Sequence, residues 1–152
     1  MMVEEAESRD WISKKEADFL INKDPVIPYF YVLPKVHKNV TPPPGRPIVS
    51  GIGSALEPLS QFCDWYLRPI VHGTSTYLRD TKDVLNLIKG LTFNPDTNIL
   101  VGLDIESLYT SLPREAKLEV LEAILIGEKW LFSTPRHFIL ECARMAVTKN
   151  YF

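Results

Sequence analysis

The sequence predicts an α+β chain rich in helix, and three observations carry that prediction. Two short aromatic or β-branched runs, 28–33 and 46–50, flank a Pro/Gly-rich loop and read as a hairpin. Several segments repeat apolar residues at helical spacing. One run, Ile99, Leu100, Val101 and Leu103, is apolar on both alternating faces, as a strand buried on both sides is. With 152 residues, 45% of them hydrophobic and 24% charged, the chain is long enough for one domain with its own core. Its formal net charge of −2 excludes an overall basic field, so a nucleic-acid partner would need a local patch.

Residues 1–12 are acidic (Met-Met-Val-Glu-Glu-Ala-Glu at the start) and are expected to be a disordered tail. They lack the apolar core of a signal peptide, and no run reaches membrane-spanning length. The reading is an intracellular chain, neither secreted nor membrane-bound, with nucleus and cytoplasm not separable. Ser13 and Glu16 form a capping box with Ile12 and Ala17 as a staple. A helix over about 13–22 follows, burying Phe19 and Leu20, and Asp24-Pro25 ends it.

Pro34 stops the first strand of the hairpin, and Pro47 places the second at an edge or at its own start. From Pro25 to Ser50 the chain holds Lys35, Lys38 and Arg46 and no acid. This basic hairpin is either a solvated loop or a flap whose cations face phosphates. Leu56, Leu59, Cys63, Tyr66, Leu67 and Ile70 mark a helix that Pro58 begins and Pro69 ends or kinks. Asp80 caps a short helix carrying Val84, Leu85 and Ile88. Asn94-Pro95-Asp96 turns into the apolar run near 98–104, expected as the central strand. Asp104 stands at its tip and either caps the next turn or pairs with a divalent cation such as Mg²⁺. After Pro113, Leu118, Leu121 and Leu125 face inward on a helix to about Ile126. Thr134-Pro135 opens the last helix, with Phe138, Cys142, Met145 and Ala146 inward, and Asn150-Tyr151-Phe152 reads as a strand start. Cys63 and Cys142 read as small buried hydrophobes rather than a disulfide framework. His37, His72 and His137 lack metal-ligand spacing.

Three segments together resemble the reverse transcriptase domain of Penelope-like retroelements. They are Phe30-Tyr-Val-Leu-Pro-Lys-Val-His-Lys38, Gly45-Arg-Pro-Ile-Val-Ser-Gly51 and Leu103-Asp-Ile-Glu-Ser-Leu-Tyr-Thr-Ser-Leu-Pro113. The resemblance spans about Ser13 to Phe152. It implies a partial right-hand polymerase: fingers over about 13–95 and the start of the palm over about 96–152. It implies that Asp104 is the first palm aspartate and binds catalytic Mg²⁺, with the backbone carbonyl of Ile105 as a further ligand. Tyr109 matches the aromatic that excludes a ribose 2′-OH, Arg46 the arginine on the nucleotide triphosphate, and Lys35 a lysine reaching the same phosphates. The implied partners are an RNA template, a DNA primer and deoxynucleotides. Glu106 reads as a solvated turn residue.

The sequence departs from the family in having no Asp-Asp pair and no Gln- and Gly-containing segment after the last helix. Both would lie beyond Phe152, so the chain is expected to be the N-terminal part of such a domain. It is expected to be inactive alone, with an unpaired sheet edge open to self-association. The alternative is a non-catalytic nucleic-acid or nucleotide-binding remnant of a decayed or domesticated element.

Overall fold

The computed structural model describes residues 2–105, 108–127 and 132–149, without the side chains of Tyr109 and Thr110. It has an α+β, helix-rich fold: α1 (Met2–Ser8), α2 (Lys14–Leu20), β1 (Tyr29–Pro34), β2 (Gly45–Ser50), α3 (Glu57–His72), α4 (Thr81–Ile88), α5 (Leu108–Ser111), α6 (Arg114–Gly127) and α7 (Arg136–Thr148). The expected tail over 1–12 instead folds as α1 and its exit. Ala6 and Ile12 are buried, and the Arg9 guanidinium stacks 5.0 Å from the Trp11 ring.

The core lies between helices. Ala6, Ile12, Ala17 and Leu20 pack with Leu59, Phe62, Cys63 and Tyr66 of α3 and with Phe138, Ile139, Cys142 and Ala143 of α7. The Phe62 and Phe138 rings meet edge-on at 6.0 Å, and those of Tyr66 and Phe132 at 4.8 Å. α2 begins where the capping box predicts. The Ser13 amide donates to Glu16 Oε2 at 2.7 Å, and the Glu16 amide to Ser13 Oγ at 3.3 Å. Phe19, expected inside, is half exposed, whereas Leu20 is buried. With one short apolar side to cover, α2 turns Ala17 and Leu20 inward and leaves Phe19 outside.

α3 does not end at Pro69, one of the two expectations there, but runs through it to His72. Trp65 and Pro69 lie on its exposed side. The Trp65 carbonyl, which loses its helical donor to the proline, therefore faces water, and this lowers the cost of continuing. Asp80 caps α4 by accepting from the Asp83 amide at 3.1 Å. No residue of α4 is buried.

The largest correction concerns 98–104. The run is neither a strand nor buried. Among the described residues the sheet has two strands only, β1 and β2, so Asp104 stands at no sheet end. Ile99 is 88% exposed, Leu100 90% and Leu103 95%. Strand propensity reports how a segment fits a neighbouring strand, and here no described strand lies beside it. Asn150, Tyr151 and Phe152, and the strand start read there, lie outside the described residues. No helix among the described residues is long and apolar enough to cross a membrane.

Candidate phosphate-facing site on the hairpin

The hairpin forms because Pro34 and Gly45 close an antiparallel ladder that pairs Tyr29 with Ser50, Val32 with Pro47 and Leu33 with Arg46. A two-stranded ribbon has two open edges, so Pro47 costs no interior ladder bond. Gly45 belongs beside Val32, because a Cβ there would lie 2.5 Å from Val32 Cγ1. Past the ladder, the Lys35 amide donates to the Pro44 carbonyl at 2.8 Å, which holds the loop base closed.

That closure gathers the cations. Leu33, Pro34, Lys35, His37 and Arg46 line one open hollow of about 270 Å³. None of Lys35, His37 and Arg46 is tied up in an ion pair or side-chain hydrogen bond to a described residue, so their donors face solvent. Lys35 and Arg46 thus line one hollow, which Asp104 does not join. His37 is the residue that the sequence reading passes over. Its signal was its place two residues after Lys35 in an acid-free stretch. The ladder also sets Tyr29 and Tyr31 on one face with ring centroids 5.8 Å apart, and both are exposed.

The other candidates lie elsewhere. Asp104 and Ile105 sit on the exposed irregular run 98–105, and Asp104 makes no ion pair or hydrogen bond with a described residue. Tyr109 falls within α5, and its side chain lies outside the described set, as does Glu106. Magnesium takes six oxygens and is held by one or two carboxylates with substrate phosphates. The donors here are one carboxylate and one carbonyl on an exposed run, and among the described residues no three metal-binding side chains gather. This set alone does not fit a magnesium site, and no catalytic step through the ion follows from it.

A second polar cluster lies in the core. The Tyr66 hydroxyl donates to Glu16 Oε1 at 3.0 Å and accepts from Thr134 Oγ1 at 2.8 Å, joining α2, α3 and the entry to α7. Burial alone would push the Glu16 carboxyl up. The bonds from the Ser13 hydroxyl and amide and from Tyr66 outweigh it and hold the group below its usual range. Burial, with the nearby Glu16 charge, pushes the Tyr66 phenol up. Cys63 and Cys142 are buried free thiols, and Cys63 Sγ lies 3.8 Å from the Ile139 carbonyl. The neighbouring Cys63 thiol and then burial push the Cys142 thiol up. These groups bind the helices together and open onto no hollow of the site.

No protein-family model matches the chain, and neither a curated protein nor a solved structure is found to be similar to it.

Proposed function

We propose that the chain is the nucleotide-gripping fingers and first palm segment of an RNA-directed DNA polymerase of the Penelope-like retroelement kind. In this reading Lys35 and Arg46 hold the phosphates of a deoxynucleotide, and Asp104 is the first palm carboxylate. The observation that carries it is the shared hollow. Two motifs that the resemblance treats separately, around Lys35 and around Arg46, meet at the closed end of one hairpin. Arg46 supplies a planar fork for two phosphate oxygens, and Lys35 a point charge. His37 adds a ring donor or acceptor beside them.

A second reading, a nucleic-acid- or nucleotide-binding module without chemistry, is favoured by the lone, exposed position of Asp104. The two readings separate in one experiment. A labelled oligonucleotide and a deoxynucleoside triphosphate are titrated with purified chain, then a primed RNA template is added with Mg²⁺. Binding should weaken at least about tenfold in the Lys35→Ala/Arg46→Ala double variant, since each charge-assisted bond is worth about 1.5–3 kcal/mol. Binding equal in the variant refutes both readings. Binding without primer extension, the outcome expected of this chain, leaves the module reading standing for the chain by itself. Extension that Asp104→Ala abolishes establishes the polymerase.

A further inference from the structure

The chain exposes 12179 Å², about 1.5 times the roughly 7,900 Å² that the scaling of compact monomers gives for 17.4 kDa. The excess, about 4,000 Å², is several times the roughly 800 Å² that each partner contributes to a standard interface. Exposed apolar side chains occur along the hairpin as well as in the stretch 84–103, and the latter is the one considered for pairing. α4 has no buried residue and shows Val84, Leu85, Leu87 and Ile88 to solvent; Leu91 and Phe93 follow, then the run 99–103. An exposed apolar surface of this size marks an interaction site.

The sequence of the run says what sits there. Asn98 to Asp104 reads Asn-Ile-Leu-Val-Gly-Leu-Asp, nearly symmetric in hydropathy about Val101. An antiparallel strand laid on it with Val101 at the centre must carry an apolar residue opposite Ile99 and another opposite Leu103. It must carry a small or apolar residue opposite Leu100, and no acid opposite Asp104. The run itself meets every condition. Ile99 falls opposite Leu103, Leu100 opposite Gly102, Val101 opposite Val101, and Asp104 opposite Asn98. The turn at 95–97 ends the ladder before Asp96 enters it. A self-complementary patch about a two-fold axis is the geometry of isologous dimers.

We propose that two copies of this chain associate through an antiparallel pairing of 98–104 about Val101. The exposed faces of α4 and of Leu91 and Phe93 supply the apolar cover that a lone strand pair needs. The proposal rests on exposure and sequence symmetry and uses neither the Lys35–Arg46 hollow nor any chemistry of Asp104.

Sedimentation velocity of the whole chain from about 1 to 100 μM, the range where transient dimers dissociate, tests it. A discrete dimer is expected. Val101→Lys sets two like charges face to face on the axis and should raise the dissociation constant at least about tenfold. Val101 is 69% exposed, so the folded chain should tolerate the lysine, and its melting curve serves as the control. The register has its own test. Facing Cα atoms in an antiparallel pair lie about 5 Å apart, within disulfide reach. Val101→Cys should therefore cross-link two copies under oxidised glutathione. Ile99→Cys should not, because four residues of offset separate the two thiols by about 13 Å. A monomer at every concentration overturns the proposal. So does a dimer indifferent to Val101→Lys, equal cross-linking at both positions, or polydisperse aggregate in place of a discrete species.

Discussion

The helical core and the stretch 81–105 are built from equally apolar sequence and end in opposite states. α3 and α7 face each other with Phe62, Cys63, Phe138 and Cys142 all below a tenth exposed. α4 and the run after it carry nearly as many large apolar residues and bury none of those in the helix. The difference is not in patterning, since α4 has a proper cap at Asp80 and a regular apolar stripe. It lies in whether a complementary surface exists within the chain. α2 and α7 supply one for α3, whereas α4 has none among the described residues. Amphipathic pattern specifies a face that can be buried, and only a partner buries it.

The comparison can be broken most sharply by truncation. Phe138→Ala removes a ring 1% exposed and should cost about 3–5 kcal/mol in chemical denaturation. Leu100→Ala, at 90% exposed, should change the stability of the monomer by less than about 0.5 kcal/mol. Similar losses at both sites would show that the run is packed in solution.

A smaller effect belongs to the core's polar joint. Tyr66→Phe removes the hydroxyl bonded to Glu16 and Thr134 and should cost about 1–2 kcal/mol. A neutral result would mean that aromatic packing alone holds α2 to α3.

The smallest effect is a pH dependence. Glu16 has a lowered carboxyl pKa in the folded chain, so it favours folding above its unfolded value of 4.5. That contribution is lost as pH falls from there through the folded value. Glu16→Gln should flatten the acid limb of stability against pH, and an unchanged limb would assign acid sensitivity to other carboxylates.

Features set by neighbours in sequence were legible before the structure. Ser13 and Glu16 fixed the start of α2, Asp80 that of α4, and Thr134-Pro135 that of α7; the hairpin was read one residue short at its closed end, since Pro34 and Gly45, read as outside the strands, form its last ladder pair. Each helix start depends on bonds spanning three or four residues or on the fixed φ of a proline. The pairing of Lys35 with Arg46 came from the family resemblance, and the register that sets Arg46 opposite Leu33 beside Lys35 came only from the structure. What failed depends on distant partners. Phe19 and Phe62 are both apolar residues on amphipathic helices, yet α7 covers only the second. The run 98–104 has the composition of a buried strand, but composition cannot supply the strand beside it. Asp104 was read as a site residue through that strand, so its place in the site stands as the proposal above.

The two thiols have a practical consequence. Cys63 and Cys142 are the chain's two cysteines, and both lie in the α3–α7 seam. An alkylating reagent reaches them only when that seam opens, so their labelling rate times the opening of the core without an added probe. Because α4 and the apolar run carry no sulfhydryl, the clock ignores every fluctuation there. A chain whose exposed stretch is altered but whose seam is intact should react at the parent's pace, which gives a one-tube assay for whether a surface change has reached the interior.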